Sequence, residues 1–332
     1  MKLDEGIRTF DLFCGGGGSS IGAKRAGAVP LGGVDLWPVA TAAFEANLPG
    51  AKGYTSDLSQ LCPQQVLDDL GPIDLLLASP ECTNHSVAKG NKPRCEESKN
   101  LAFQVIRFAE VMMPRWIVVE NVIQMRTWKS FQEWEGKLHD LGYQTLVLPL
   151  EAAMFGVPQR RKRLFVICDR GGTPPTPRPY QKKDATIASV LKKARRGDWS
   201  YDFTPLDNGR RAPKTMERAA FAIESIGNDQ QFIMVYYGSD GAGGFQTLDR
   251  PLRTITTLDR FALVRPNCIG HEMRMLQPSE LALAMGFPPS YRFPEIATRR
   301  DCVKLIGNAV CPPVMRAIVR AILRTQSVTS DT

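Results

Sequence analysis

Four consecutive glycines, Gly15–Gly18, lie between a predicted strand, Arg8–Phe13, and a predicted helix, Ser19–Ala26. A strand that passes through glycines into a helix is typical of the start of a βαβ unit, and Ser19 and Ser20 are available to cap the helix. Glycines in such a turn allow positive φ angles and let a ligand approach the backbone. This feature predicts an α/β fold with a ligand site at the end of its first strand.

The same alternation continues through the first half of the chain. Further strands are predicted at Pro30–Val34, Ile73–Ala78, Trp116–Glu120, Tyr143–Leu150 and Arg163–Cys168, and helices at Pro38–Asn47, Leu101–Met113 and Ser130–Leu141. Strands separated by helices indicate βαβ units and a mainly parallel sheet.

The composition changes after Asp169. Gly171–Pro179 is rich in Gly, Pro and Thr, which predicts a linker. The elements predicted beyond it are strands at Leu252–Thr257 and Phe261–Val264, a short helix at Pro278–Met285 and one longer helix at Arg299–Leu323. We therefore expect a large domain formed by residues 1–172 and 270–332, and a small domain formed by residues 173–269.

Composition limits the class of protein. Hydrophobic residues make up 43% of the chain and charged residues 23%, as in ordinary globular proteins. We see no apolar run of the roughly 18–20 residues that span a bilayer and no signal peptide, so we expect a cytoplasmic protein with no membrane partner. The eight cysteines form no CxxC pair and there are three histidines, so we expect no metal site. The net charge of +8 favours a polyanionic partner.

Cys82 follows the predicted strand Ile73–Ala78 within Ser79-Pro80-Glu81-Cys82-Thr83. The carboxyl end of a parallel strand is where open α/β sheets bind ligands. A cysteine taken alone is more often buried and structural. Asp35 closes the second predicted strand, where a carboxylate commonly binds ribose hydroxyls, and the glycine loop suits NAD, FAD or S-adenosylmethionine equally well.

Five motifs together resemble those of the cytosine-C5 DNA methyltransferases in order and spacing. They are Phe13–Gly18, Pro80-x-Cys82, Glu120-Asn121-Val122, Gln159–Arg163 and Gly307-Asn308-Ala309-Val310. The resemblance covers nearly the whole chain except about residues 171–245, and the length is similar to that of small bacterial modification enzymes. It implies a Rossmann-like S-adenosylmethionine-dependent methyltransferase domain with a smaller target-recognition domain.

The resemblance implies sequence-specific transfer of a methyl group from S-adenosylmethionine to C5 of cytosine in double-stranded DNA, by base flipping. S-adenosylhomocysteine would be the product, and no metal would take part. It also implies a monomer, bacterial or phage-encoded, that associates with the nucleoid. A restriction endonuclease of the same system is a candidate partner.

Carried over residue by residue, the resemblance makes Cys82 the nucleophile that adds to C6 of the cytosine. Glu120 becomes the acid that binds N3 and the 4-amino group. Arg161 and Arg163 become the two arginines that bind O2 of the base and steady Glu120 or a phosphate. Because residues two apart in a strand point the same way, both arginines are expected to face one site.

The expected cofactor and DNA contacts also come from the resemblance. The cofactor residues are Phe13, Gly15, Gly17, Gly18, Asp35, Leu36, Asp57, Leu58, Pro80, Leu101, Asn308 and Ala309. The DNA-binding residues are Lys89, Lys92 and Arg94 in the basic segment after Cys82, Lys192, Lys193, Arg195 and Arg196 in the variable segment, and Arg253. Arg253 lies in a motif that anchors the recognition segment.

One departure leaves alternatives open. The family usually has Pro-Pro-Cys-Gln, whereas this chain has Pro80-Glu81-Cys82-Thr83. A glutamate that faced the thiol would raise the pKa of that thiol. The alternatives are methylation of cytosine in RNA, since a tRNA-modifying branch shares these motifs, and a DNA-binding paralogue that has lost turnover. An NAD-dependent oxidoreductase would rest on the glycine loop alone.

Overall fold

The computed structural model describes residues 6–80, 97–180, 185–193, 202–236 and 244–329, with residues 97–100 and 326–329 described by their backbone only. Within these residues, seven strands form the main sheet in the order β3-β2-β1-β4-β5-β7-β6. The strands are β1 Arg8–Leu12, β2 Val29–Asp35, β3 Lys52–Thr55, β4 Leu75–Ala78, β5 Trp116–Asn121, β6 Gln144–Glu151 and β7 Lys162–Asp169. The helices between them are α1 Gly18–Lys24, α2 Pro38–Asn47, α3 Pro63–Leu70, α4 Glu97–Met112 and α5 Phe131–Asp140.

The central strands of this sheet are buried on both faces. Leu75 and Leu77 of β4 belong to one apolar cluster, which includes residues of α1 and the C-terminal helices, while Leu76 and Ala78 belong to another, which includes α4 and α5. A continuous apolar strand with alternating partners is expected when helices cover both faces of a parallel sheet. The predicted α/β fold class is therefore confirmed.

One strand reverses the direction of the sheet. β7 runs antiparallel to both of its neighbours, β5 and β6. Its first residues consequently lie at the edge of the sheet where β4 and β5 end. This reversal brings Arg161 and Arg163 to the carboxyl end of β5.

A second sheet is antiparallel and has the strand order β10-β9-β11-β12-β8. Its strands are β8 Thr204–Pro205, β9 Phe232–Val235, β10 Phe245–Thr247, β11 Phe261–Asn267 and β12 Gly270–Met275. α6, Ile187–Lys193, precedes it, and α7, Pro213–Ile226, packs on one of its faces. Ile233 and Val235, on the other face, join the large cluster of the main domain.

The second sheet bears on where the small domain ends. β11 and β12 form a hairpin whose last pair is Asn267 with Gly270. A border between residues 269 and 270 would cut this hairpin. We propose that the small domain extends to Met275, where β12 ends.

Two predicted elements near the C-terminus are wrong. Leu252–Thr257 is not a strand: Leu252 forms one isolated bridge with Gln159, and the next residues belong to no strand. The predicted helix Arg299–Leu323 is two helices, α9 Arg299–Asn308 and α10 Pro312–Thr329. Pro312 cannot donate a backbone hydrogen bond and is favoured at a helix start, so the helix breaks before it. α8, Pro278–Met285, has the predicted bounds.

Among the described residues, the stretch Arg299–Thr325 is long and apolar enough to be considered as a membrane span. However, 72% of its most apolar window is buried inside the protein. Packing in the core accounts for this apolar composition.

Candidate active site

Glu120 is the buried acid at the carboxyl end of the central strand β5. Its residue is 6% exposed, and its Oε1 lies 3.3 Å from Nε of Arg163. Burial raises the pKa of Glu120 above its ordinary value, although the nearby guanidinium groups of Arg163 and Arg161 lower it in part. A carboxyl with a raised pKa is suited to hold and release a proton.

The two arginines face the same site but make different contacts. Arg163 lies beside the Glu120 carboxyl and donates from Nη1 to the carbonyl of Lys162, at 2.9 Å. Arg161 is buried and donates to the carbonyls of Ile255, at 3.2 Å, and Gly307, at 3.1 Å. Arg161 therefore ties the start of β7 to two distant segments of the chain.

A small pocket opens at this edge of the sheet. Its walls include Glu120, Arg161, Arg163, Phe165 and Cys311. Oε1 of Glu120 is buried and makes no hydrogen bond within the described residues, although it forms an ion pair with Arg163. A buried carboxyl oxygen that makes no hydrogen bond can still accept one, so the pocket can receive a ligand that offers a hydrogen-bond donor there.

Cys311 was not predicted as part of this site. Its Sγ lies 3.2 Å from Sδ of Met285, and burial raises the pKa of its thiol to about 12, which keeps it protonated. The signal that could have found it is its position, directly after the motif Gly307–Val310.

Three of the motifs meet at the end of β4. Ser79 donates from its hydroxyl to the carbonyl of Phe13, at 3.0 Å, and Asn121 donates from Nδ2 to the carbonyl of Pro80, at 3.3 Å. The described chain thus leads to Pro80, beside the glycine loop and the end of β5. Cys82 with its neighbours Glu81 and Thr83, and the predicted DNA contacts Lys89, Lys92 and Arg94, lie outside the described residues.

The glycine loop is bound to the end of β2. Phe13 and Gly17 have positive φ angles of +59° and +81°. The carboxylate of Asp35 accepts the N–H of Gly15 and that of Trp37, each at 2.9 Å. Burial raises the pKa of Asp35, and these backbone bonds lower it in part.

The other predicted cofactor residues differ in how far they are exposed. Leu36 is 68% exposed. Asp57 is also exposed, and its bonds to Ser59 lower its pKa, so it is a carboxylate at neutral pH. Leu58 is buried, and Leu101 in α4 is half-buried.

The connector between α9 and α10 packs against the same loop. A Cβ on Gly18 would overlap with the carbonyl oxygen of Val310. Asn308 next to it is exposed, and Ala309 is buried. The motif Gly307–Val310 therefore lies beside the motif Phe13–Gly18.

The predicted DNA contacts in the second half are spread out. Lys192 and Lys193 are exposed at the end of α6. Arg253 donates from Nη2 to the carbonyl of Phe245, at 3.1 Å, so it also fastens the chain to β10. Arg195 and Arg196 lie outside the described residues. No group of three or more potential metal ligands occurs in the part of the chain that the structure describes.

Comparison with known proteins identifies the class. Residues 7–324 match the family of C-5 cytosine-specific DNA methylases. The chain belongs to this family and is a DNA (cytosine-5)-methyltransferase, and membership implies S-adenosylmethionine as the methyl donor. The predicted enzyme class is thereby confirmed.

Curated relatives agree with this assignment, and a solved structure has a similar fold. The chain is 27% identical to the Type II methyltransferase M.HgiDI of Herpetosiphon aurantiacus, over 92% of this chain and 90% of the relative. It is 25% identical to M.NlaX of Neisseria lactamica, over 98% and 99% of the two chains. The fold is similar to that of a Spodoptera frugiperda DNMT2 mutant, with a TM-score of 0.69, 19% identity and coverage of 96% and 99%.

Proposed function

We propose that this methyltransferase modifies a flipped-out cytosine within a specific sequence of double-stranded DNA, with Cys82 as the nucleophile. The observation that carries the proposal is the buried Glu120 carboxyl, which is paired with Arg163 and lines a pocket together with it. This pocket lies at the edge of the sheet where β4 ends, and Cys82 follows β4 in the sequence. An acid in that position can bind the Watson–Crick edge of a base, which is accessible only after the base leaves the duplex.

Glu120 would activate the ring. Its protonated oxygen donates to N3 of cytosine, and its other oxygen accepts from the 4-amino group. Proton donation at N3 withdraws electron density from C6, so that the Cys82 thiolate can add there and C5 becomes nucleophilic. Arg163 stabilises the negative charge that Glu120 acquires as it gives up the proton.

The chain offers a fitting site for S-adenosylmethionine at the glycine loop. The Asp35 carboxylate suits the ribose hydroxyls, the exposed Leu36 suits the face of adenine, and a Cβ on Gly15 would contact nothing within 4 Å, which leaves open space over the loop. When bound, S-adenosylmethionine supplies the methyl group as an electrophilic sulfonium. Asp57, Leu58, Pro80, Leu101, Asn308 and Ala309 would complete this site.

The second sheet and α6 would read the DNA sequence. Lys192 and Lys193 are exposed cations suited to phosphate contacts, which position a protein on DNA without reading bases. The match to the family of C-5 cytosine-specific DNA methylases favours DNA over RNA as the substrate. We infer a monomeric modification enzyme that works in the cytoplasm on bacterial or phage DNA, with a restriction endonuclease of the same system as a candidate partner.

An oligonucleotide experiment tests the nucleophile. Bisulfite sequencing of DNA from cells that express the protein first gives the recognition site. Duplexes with 5-fluorocytosine in that site should then form, in the presence of S-adenosylmethionine, an adduct that survives denaturation. We expect Cys82→Ala to abolish the adduct and the control Cys62→Ala, at an exposed cysteine, to retain it. An adduct of normal yield with Cys82→Ala would refute the assignment.

A further inference from the structure

The position of Gly16 in the glycine loop excludes a side chain for a different reason from its neighbouring glycines. Gly15 and Gly17 have positive φ angles, +50° and +81°, and Gly18 meets the backbone of Val310, whereas Gly16 has no positive φ. A Cβ on Gly16 would overlap with the hydroxyl oxygen of Tyr291. The next nearest atoms, Cζ of the same tyrosine and Cδ2 of Leu305, would lie at 3.7 Å, which is ordinary contact. The tyrosine hydroxyl alone therefore excludes a side chain at position 16.

The same hydroxyl holds the backbone of the loop. Tyr291 donates from its hydroxyl to the carbonyl of Gly16, at 3.0 Å, across 275 positions of sequence. Burial raises the pKa of Tyr291, so the hydroxyl stays a proton donor at neutral pH.

The tyrosine itself is held in place by its neighbours. Its ring packs against Phe287 and Phe293, with ring centroids at 4.4 Å and 5.2 Å. Asn47, at the end of α2, accepts the N–H of Arg292 and donates to the carbonyl of Arg292, each at 2.8 Å. The segment that carries Tyr291 is thus attached to the helix that follows Asp35.

The peptide unit between Gly16 and Gly17 is hydrogen-bonded through both its carbonyl and its N–H. The Gly16 carbonyl accepts from Tyr291, and the N–H of Gly17, in the same peptide plane, donates to the carbonyl of Cys14 at 2.9 Å. With both groups paired, this peptide cannot rotate without breaking a hydrogen bond.

We propose that Tyr291 is a positioning residue that fixes the Gly16–Gly17 peptide and so preorganises the loop for the methyl donor. The proposal rests on the proposed role of the glycine loop as the S-adenosylmethionine site. A preorganised loop loses less conformational entropy when it binds a ligand, so loss of the hydroxyl should weaken binding of the methyl donor. Tyr291 does not line the base pocket, so the chemical step should change little.

A double-mutant cycle tests this. The proteins are the wild type, Gly16→Ala, Tyr291→Phe and the double variant, and the measurement is the Kd for S-adenosylmethionine by calorimetry. We expect Tyr291→Phe to weaken binding by about 2- to 10-fold, the range for one neutral hydrogen bond. Gly16→Ala should weaken it by about 10-fold or more, because the methyl group and the hydroxyl cannot both fit. The double variant should bind about as well as Tyr291→Phe alone, since the added methyl then meets atoms no closer than 3.7 Å.

Gly18→Ala is the matched control. Its Cβ would overlap with the backbone of Val310, so Tyr291→Phe should not rescue it. In steady-state assays, Tyr291→Phe should raise KM for S-adenosylmethionine and leave kcat within about twofold, a split that a general loss of folded protein would not produce.

The outcomes separate the two proposals. Independent, additive effects of Gly16→Ala and Tyr291→Phe on Kd would overturn the role of Tyr291 while leaving the cofactor site intact. The two substitutions could instead be coupled in the free energy of urea unfolding but not in Kd. That result would show a purely structural contact and would also overturn the role of Tyr291. If Asp35→Ala and Gly18→Ala leave donor binding unchanged, the loop is not the cofactor site and both proposals fail.

Discussion

Replacing Glu120 with glutamine is the sharpest test of the chemistry. The substitution keeps the size of the side chain and one acceptor oxygen but removes the acidic proton. Glu120 is 6% exposed, its Oε1 is 3.3 Å from Nε of Arg163, and burial raises its pKa. A buried acid whose pKa lies above its ordinary value can deliver a proton where charge develops at N3, and an amide cannot.

The magnitude follows from this role. Loss of a general acid costs about 10²- to 10⁴-fold in kcat, or roughly 3–5 kcal/mol of transition-state stabilisation at 1.36 kcal/mol per tenfold. The glutamine amide still offers a donor and an acceptor to the base, so DNA affinity should change by only about threefold. The loss therefore belongs to the transition state.

The assay is single-turnover transfer of a labelled methyl group to a duplex that contains the recognition site, with DNA affinity measured in parallel. Glu133→Gln, at an exposed glutamate of α5, is the control and should behave as the wild type. The activity of the wild type should also fall as the pH rises through the raised pKa of Glu120. The variant should not show this decrease. A rate constant for methyl transfer within tenfold of the wild-type value, or an equal loss of DNA affinity, would refute the reasoning.

Two further predictions concern stability and specificity. Burial raises the pKa of Asp11 from 3.8 to about 7, although its bond to Ser20 lowers it in part. The folded protein keeps this proton up to about pH 7 while the unfolded chain has lost it, so stability falls as the pH rises. Measured by urea unfolding, the free energy of unfolding of the wild type should fall by about 2–3 kcal/mol relative to that of Asp11→Asn between pH 5 and 7.5. A difference between the two proteins that stays constant with pH would contradict this. Exchange of residues 173–275 for the corresponding segment of a relative with a known site should transfer that site to the methylated product. An active chimera that still methylates the original site would place recognition outside this segment.

The sequence alone determined the parts that depend on local patterns. The alternation of apolar runs and helical segments predicted the α/β fold, and the bounds of α2 and α8 agree with the structure. Hydrophobic periodicity and proline or glycine punctuation act over a few residues, so they can be read without knowing what lies across the fold. The five motifs likewise identified the family before any contact between them was known.

The tertiary structure decided which residues meet. The direction of β7 depends on the connection from β6, and this direction places Arg163 beside Glu120. The segment Leu252–Thr257 resembles a strand in sequence but has no adjacent strand to pair with, because the backbone N–H of Ile255 and the hydroxyl of Thr254 bond to the Gln159–Arg163 motif instead. Cys311 reaches the pocket, and Tyr291 reaches Gly16, only because distant segments converge on one edge of the sheet. Contacts between residues so far apart in the sequence depend on how the whole core packs, so no local pattern in the chain predicts them.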